Sequence, residues 1–227
     1  MVIEGFKTNI TKIILGKMKN KFNIIVAIAD DNAIGYGGDL LWHIHEDMVY
    51  FKQTTKYHPV LMGRKTWESL QVKPLPKRKN IILTQNKEKL KEDIGKILLE
   101  KRRKIAEKNS ENAENNVSII NNNLQSVDNK DLFSDIEIIT NLEEVNNLPQ
   151  YDNEVFVIGG GSIYREMLEL CDRLYITRVY HSYAKADTFF PQIDLNEWSI
   201  ESRSEKQTDE ESNLQFQFFV LKRKDKK

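Results

Sequence analysis

Short apolar runs that end in glycine, directly before a segment with helical spacing, constrain this chain most. The run 155–158 is followed by three glycines and then by helical spacing over 162–170, and the run 59–62 is followed by one glycine and by helical spacing over 65–70. Short apolar runs bounded by turn residues are typical of buried strands. Strands that alternate with helices favour a mainly parallel sheet, so the pattern predicts an α/β fold.

The same alternation continues along the rest of the chain. Further strands are predicted at 24–29, 80–84, 136–139, 174–180 and 215–222, and further helices at 46–55 and 142–147. The last strand alternates apolar and polar side chains, which is typical of an edge hairpin. Glycines and acidic residues over 30–38 predict a turn after the first strand.

Composition excludes several classes of protein. The chain has 227 residues, 40% of them hydrophobic, and its 34 basic and 34 acidic residues cancel. A balanced charge argues against nucleic acid or an acidic membrane surface as a partner. The longest apolar run, 24–29, is too short to cross a bilayer. Cys171 is the sole cysteine, which excludes an internal disulfide and a zinc finger and fits the cytoplasm.

Two segments depart from the alternating pattern. Residues 1–21 mix spaced lysines with apolar residues and are predicted to be a disordered or loosely docked extension, with organellar targeting by residues 1–17 as the less favoured alternative. Residues 86–135 combine a predicted charged helix over 88–108 with an asparagine-rich stretch that lacks apolar periodicity. We therefore expect one domain over 22–227 that is interrupted by an insertion at 86–135.

Both glycine junctions are candidate phosphate sites. Glycine lets a backbone approach a diphosphate closely, and the N-terminus of the following helix offers free N–H groups. The segment Gly63-Arg64-Lys65-Thr66 adds two cations and a hydroxyl to its junction. The glycines at 159–161 lack the G-x-G-x-x-G fingerprint of the standard dinucleotide fold, and a tight turn or a surface cation pair explains either junction alone. Together the two junctions favour a ligand with several phosphates.

An acidic residue among large apolar side chains is the third candidate. Asp47 opens a predicted helix, and Phe51 lies one helical turn further on the same face. A carboxylate beside an aromatic ring suits a flat, nitrogen-rich heterocycle, although an acid at a helix N-terminus also stabilises the helix itself. His43 and His45 have no cysteine or acidic partner at metal-ligand spacing, so no metal site is predicted.

Short segments with a characteristic order span most of the chain. They are IVAIA at 25–29, IG at 34–35, Trp42, Asp47, FK at 51–52, PVLMGRKTWES at 59–69, PLP at 74–76, RKNIIL at 78–83, VIGGG at 157–161, Tyr164, LYIT at 174–177 and DTFFP at 187–191. In content and order they resemble the dihydrofolate reductase family. The resemblance runs from about residue 22 to the C-terminus and is interrupted by residues 86–135.

The resemblance implies a three-layer α/β fold with a central eight-stranded, mostly parallel sheet and flanking helices. It implies NADPH as cofactor and 7,8-dihydrofolate as substrate, with hydride passing to C6 and a proton to N5 to give 5,6,7,8-tetrahydrofolate. Such an enzyme supplies one-carbon metabolism and thymidylate synthesis and is an antifolate target. We expect a monofunctional enzyme that acts as a monomer, without nucleic acid or membrane as a partner.

The family's substrate-site residues carry over to matching positions. Asp47 would bind the 2-amino and N3 edge of the pterin and favour protonation at N5, Thr177 would orient this acid, and Trp42 would hold an ordered water. Arg78 would bind the carboxylate of the substrate's glutamate tail. The remaining residues expected to line the pocket are Ile25, Met48, Phe51, Leu75 and Ile158.

The family's cofactor-site residues also have counterparts. Ala27 and Ile34 would border the nicotinamide, and the loop 30–44 would close over it. The residues expected to take the phosphates and the rest of the cofactor are Gly63, Arg64, Lys65, Thr66, Thr84, Gly159, Gly160, Gly161, Ser162, Ile163 and Tyr164. A cis peptide bond between Gly159 and Gly160 is expected from the resemblance.

The sequence departs from the family at several positions, and alternatives stay open. Leu41 replaces a usual proline, and residues 71–73 lack a usual glycine. Ser162 and Gln85 replace residues that often contact phosphates, so the preference for NADPH is less secure. In one interpretation, the basic helix of the insertion lies near the cofactor's 2′-phosphate. In the favoured alternative, the insertion is an exposed loop. A related reductase of the riboflavin pathway and a non-catalytic pterin- or RNA-binding protein are the alternative functions.

Overall fold

The computed structural model describes residues 19–109 and 133–225, which form a twisted sheet with helices on both faces. Its strands are β1 (Phe22–Ile28), β2 (Ala33–Gly35), β3 (Val60–Gly63), β4 (Asn80–Leu83), β5 (Ile136–Ile139), β6 (Val155–Gly159), β7 (Arg173–Val179), β8 (Thr188–Phe189), β9 (Trp198–Arg203), β10 (Gln207–Thr208) and β11 (Gln215–Arg223). Its helices are α1 (His45–Thr55), α2 (Arg64–Ser69), α3 (Lys87–Asn109) and α4 (Gly161–Met167), and Leu142–Asn147 and Leu168–Leu170 are 3₁₀ turns.

Strand order confirms the expected sheet. The strands are arranged β10-β11-β7-β1-β6-β3-β4-β5, and every neighbouring pair from β7 to β5 is parallel. β11 runs antiparallel to β7, and its other edge pairs first with β10 and then with β9, so these two short strands fill one position. The described residues therefore form eight strand positions, mostly parallel. β2 and β8 form a separate small ribbon.

The predicted elements agree with the structure except where strands are short or polar. The strand at 136–139 and the helical turn at 142–147 have the predicted bounds, although the turn is 3₁₀. The prediction that the strand at 215–222 lies at an edge is wrong, because β11 pairs on both sides. β9 escaped prediction because five of its six residues are exposed, which leaves no alternation to detect.

The first part of the insertion is packed against the sheet. Leu90, Ile94 and Leu98 of α3 are buried in one apolar cluster with residues of α2, β4 and β5. Their spacing of four residues places them on one face of the helix, as the narrow apolar stripe predicted. Residues 1–18 and the asparagine-rich stretch lie outside the described residues.

Candidate active site

The acid of the site stands in the first turn of α1. The Thr177 hydroxyl on β7 donates a hydrogen bond of 2.6 Å to Asp47 Oδ1, although the two residues lie 130 positions apart in the chain. Thr177 is buried, whereas Asp47 is half-buried. The structure thus joins the two predicted residues into one polar pair.

Burial controls the charge of this acid. Loss of water around the carboxyl raises the pKa of Asp47 above its ordinary value, and the hydrogen bond from Thr177 partly opposes that shift. Burial disfavours the charged form, whereas a donor to the carboxylate favours it. Asp47 is therefore a group that can hold a proton at higher pH than an ordinary aspartate.

Most of the apolar side chains predicted to line the pocket are packed together. Ile25, Leu75 and Ile158 are buried in one cluster, and Phe51 packs against it as a partly buried ring. This brings together four of the predicted pocket residues. Met48 differs, because it is 51% exposed and lies outside the cluster.

Trp42 lies three residues before α1 and belongs to a second apolar cluster. Its ring lies 5.3 Å from that of Tyr183, and the residue is buried. The indole N–H makes no hydrogen bond to any of the protein groups that the structure describes. A buried donor of this kind calls for a polar partner, either water or ligand.

Arg78 is a buried cation without a carboxylate partner among the described residues. Its Nη1 donates to Thr55 Oγ1 at 2.6 Å, and its guanidinium lies 5.7 Å from the centre of the Phe51 ring. Burial lowers the pKa of the guanidinium. A buried arginine normally pairs with an anion, so this geometry fits a ligand carboxylate next to the Phe51 ring.

The two glycine junctions meet because β3 and β6 are neighbours. Met62 pairs with Gly159, and a side chain added at Gly63 would lie 3.8 Å from the Gly159 carbonyl oxygen. The Gly159–Gly160 peptide is cis, as expected. Gly159 has φ +119, and a Cβ there would lie 3.2 Å from the Tyr164 hydroxyl and 3.4 Å from Thr66 Oγ1. Only glycine fits this backbone. We call Gly159 and Gly160, at the carboxyl end of β6, the glycine shelf.

The polar residues next to the glycine junctions differ in exposure and in their protein partners. Arg64 is exposed and pairs with Glu68 on its own helix, whereas Lys65 is exposed and has no such pair in the described chain. Thr84 is buried and its hydroxyl accepts a hydrogen bond of 3.2 Å from Asn86 N–H. Ser162 is exposed at the start of α4.

Ile163 and Tyr164 pack next to the two glycine junctions. Ile163 is buried, and its Cγ1 lies 3.2 Å from the position of a Cβ at Gly63. The buried Tyr164 hydroxyl donates a hydrogen bond of 2.9 Å to the carbonyl of Ile25. Tyr164 thus links α4 to the strand that carries the pocket residue Ile25.

The loop after β1 is held by contacts that the sequence alone did not reveal. β2 pairs with β8, and Gly37 N–H donates a hydrogen bond of 2.8 Å to Asp187. Ile34 lies 3.8 Å from the position of a Cβ at Gly161, and Ala27 lies in the central strand β1. These contacts place the loop over the glycine shelf, while its mobility stays a prediction.

Asp209 is a second residue that sequence reasoning missed. Its carboxylate accepts hydrogen bonds from the backbone N–H of His45 at 3.3 Å and of Ser212 at 2.7 Å. It therefore ties the start of the Asp47 helix to the loop between β10 and β11. The signal in the sequence is an Asp-x-x-Ser turn, which is too common to indicate such a role.

The described residues contain neither a metal-binding cluster nor a membrane-spanning helix. Within residues 19–109 and 133–225, no three or more His, Cys, Asp or Glu side chains are grouped so that they could hold a metal ion. None of the helices in the same ranges has the length and apolar character needed to span a membrane.

Comparison with known proteins agrees with this geometry. The sequence profile of the dihydrofolate reductase family matches residues 21–124 and 124–223. Dihydrofolate reductase of Haemophilus influenzae is 32% identical over 203 residues, 89% of this chain and 99% of that protein, and the enzyme of Bacillus subtilis is 28% identical over 202 residues, 89% and 94%.

A solved structure shows the same fold. Dihydrofolate reductase from Enterococcus faecalis, complexed with NADP(H) and RAB-propyl, superposes with a TM-score of 0.64 at 23% identity and covers 92% of this chain and 99% of that one. The profile match and the relative at 32% identity both cover most of the chain. The chain belongs to the dihydrofolate reductase family.

Proposed function

We propose that this chain reduces 7,8-dihydrofolate to 5,6,7,8-tetrahydrofolate with NADPH as hydride donor, as the family membership indicates. The observation that carries the assignment is the Asp47–Thr177 pair together with an apolar cluster whose neighbouring Phe51 ring contacts Arg78, a buried cation that has no carboxylate partner among the described residues. A flat heterocycle with N–H donors at one end and a carboxylate at the other matches both ends of this pocket.

Asp47 has two tasks in this proposal. Its carboxylate accepts hydrogen bonds from the 2-amino and N3 edge of the pterin, and the negative charge of the ionised acid favours protonation at N5. Thr177 fixes the orientation of the carboxyl by its hydrogen bond. Trp42, whose buried N–H is without a protein partner in the described structure, holds a water that connects the acid to the substrate.

Arg78 binds the carboxylate of the glutamate tail. The planar guanidinium donates two parallel hydrogen bonds to a carboxylate, which a lysine cannot reproduce. Phe51 flanks the rings of the substrate, and Ile25, Leu75 and Ile158 exclude water around the pterin. Met48, which is exposed, contributes at the mouth of the pocket.

The residues at the two glycine junctions fit the cofactor. A Cβ at Gly160 would lie 3.3 Å from Thr66 Oγ1, so the backbone at Gly159 and Gly160 carries no side chain that could cover it, and Arg64, Lys65 and Thr66 stand at the adjoining junction. When bound, NADPH supplies the hydride. Gly63, Thr84, Gly161, Ser162, Ile163 and Tyr164 complete the site that we propose, with Ala27 and Ile34 beside the nicotinamide.

We further propose that residues 22–227 form a single domain, interrupted by the insertion at 86–135, and that the protein acts as a monomer in the cytoplasm. The packing of α3 into the same apolar cluster as Leu75 and Ile158 supports one domain. The buried, reduced Cys171 fits a reducing compartment. Elution of the purified protein at 26.6 kDa in size-exclusion chromatography is the expected result for a monomer.

The test follows the near-ultraviolet absorbance of NADPH after dihydrofolate is added. Rapid loss that methotrexate blocks is expected for the unchanged chain, and Asp47→Asn is expected to lower the rate about 100-fold or more, since a positioned acid contributes about 10²–10⁴. Asp93→Asn, the same change on an exposed face of α3, is the matched control and should retain the rate. Saturable NADPH binding without turnover would refute the assignment and favour the riboflavin intermediate as substrate.

A further inference from the structure

The helix that carries Asp47 has no capping side chain of its own. Its N-cap residue is Ile44, whose buried aliphatic side chain cannot accept a hydrogen bond. The first N–H groups of a helix have no partner within that helix, so they need an acceptor from elsewhere. Asp209 supplies one, because its Oδ1 accepts a hydrogen bond of 3.3 Å from the backbone N–H of His45, 164 positions away in the chain.

Asp209 is held in place by its own loop. The residue is only 3% exposed, and its Oδ2 accepts hydrogen bonds from the backbone N–H and the hydroxyl of Ser212. Its backbone N–H donates a hydrogen bond of 2.9 Å to the carbonyl of Leu214, and its carbonyl accepts one of 2.9 Å from Asn213. The hydrogen bonds from Ser212 and His45 lower the pKa of the Asp209 carboxyl, so it is ionised at neutral pH.

The same loop is joined to the strand that carries Thr177. Asp209 lies between β10 and β11, and β11 pairs with β7 so that Phe218 stands opposite Thr177. Asp47 and Thr177 are therefore connected in two ways. One connection is their direct hydrogen bond of 2.6 Å, and the other runs through β11, Asp209 and the His45 N–H.

We propose that Asp209 is a positioning residue for the reaction. Through the backbone N–H of His45 it fixes the first turn of α1, so that the Asp47 carboxyl meets the Thr177 hydroxyl in the orientation that binds the substrate. This inference rests on the proposed function and adds a residue to the same site. It gives the loop between β10 and β11 a part in catalysis, although that loop contributes none of the residues predicted to contact substrate or cofactor.

The test measures kcat/KM for dihydrofolate after Asp209→Ala in two backgrounds, the unchanged chain and Thr177→Val. In the unchanged chain, loss of the acceptor should lower kcat/KM about fivefold, the effect of one helix cap. In the Thr177→Val background the hydrogen bond to be aligned is already missing, so the same change should lower kcat/KM less than about twofold. A role in stability alone gives the same fold-change in both backgrounds, and that result would overturn the proposal.

Asp209→Asn is the conservative variant. Its amide oxygen can still accept from the His45 N–H, and asparagine caps helices about as well as aspartate, so at least about half of kcat/KM should be retained. A fivefold loss in this variant would contradict the route through the His45 hydrogen bond. The matched control is Asp194→Ala. Asp194 is exposed and accepts a hydrogen bond of 2.8 Å from Asn196 N–H in another loop, so its replacement should leave kcat/KM unchanged.

Thermal unfolding shows whether each variant is folded at the assay temperature. If Asp209→Ala is not, Ser212→Ala replaces it in both backgrounds, because this change removes only an exposed hydroxyl that holds Oδ2. A loss of about twofold that requires Thr177 supports the proposal, whereas an equal loss in both backgrounds, or none, overturns it. All these outcomes leave reduction of dihydrofolate by the unchanged chain intact, so they are distinct from failure of the proposed function, in which the unchanged chain is inactive.

Discussion

Replacement of Thr177 by valine tests how the site controls its acid. Valine has nearly the shape of threonine, so the change removes the hydroxyl that donates to Asp47 Oδ1 at 2.6 Å and leaves the buried packing almost unchanged. That hydrogen bond lowers the pKa of Asp47 against the larger effect of burial. Without it, the carboxyl should hold its proton to still higher pH.

The magnitude follows from the chemistry of the bond. A hydrogen bond to a charged group contributes about 1.5–3 kcal/mol, and each 1.4 kcal/mol is tenfold in an equilibrium or rate constant. Because the ionised acid is the form that binds the pterin edge, kcat/KM should fall about 10- to 100-fold at neutral pH. Each limb of the pH–rate profile that reports Asp47 should move to higher pH.

The assay is kcat/KM for dihydrofolate measured across the pH range, with Thr177→Ser as the control that retains the hydroxyl. Thermal unfolding of both variants separates a general loss of structure from an effect on the acid. If the valine variant has the same profile and rate as the serine variant, the hydrogen bond has no part in setting the acid, and the reasoning fails.

Two further predictions concern the same pocket. Arg78→Lys should raise the KM of dihydrofolate at least about tenfold, because the bidentate pairing is lost, and should leave the KM of a pterin without a glutamate tail unchanged; an equal effect on both substrates would contradict a role at the tail. Asp47→Asn should raise the Tm above that of the unchanged protein at pH 8 and less so at pH 4, as thermal unfolding would show. The folded-state pKa of Asp47 lies above its unfolded value, so its contribution to stability is present at low pH and is lost as pH rises through the folded pKa.

The elements that the sequence predicted well are those whose burial has a clear period. β3 and β6 are buried on both faces and end in glycine, so length and flanking residues suffice to locate them. α3 has one apolar face, and its bounds were predicted to within one residue. β2 and β8 have three and two residues, and pairing across about 150 positions determines them more than any local signal.

In the candidate site, too, some features could be predicted from local sequence and others depend on the folded structure. The residue types of Asp47, Arg78 and the glycines carry the chemistry and could be recognised from the sequence. The hydrogen bond from Thr177 joins positions on α1 and β7 that only the folded sheet brings together. The contacts of Asp187 and Asp209 depend on loops whose sequences contain ordinary turn residues, so they could not be predicted.

Strand order explains why a long insertion is compatible with this site. The insertion joins β4 to β5, and β5 is the last strand at one edge of the sheet. β7, which carries Thr177, lies five strand positions away, about 24 Å at roughly 4.8 Å per strand. Thr177 is therefore remote from the edge strand β5, whereas the glycine junction at Gly63 is on the strand next to β4. α3 nevertheless packs into the apolar cluster that holds Leu75 and Ile158, so an effect of the inserted helix on catalysis should reach Gly63 and the apolar pocket before it reaches the Asp47–Thr177 pair.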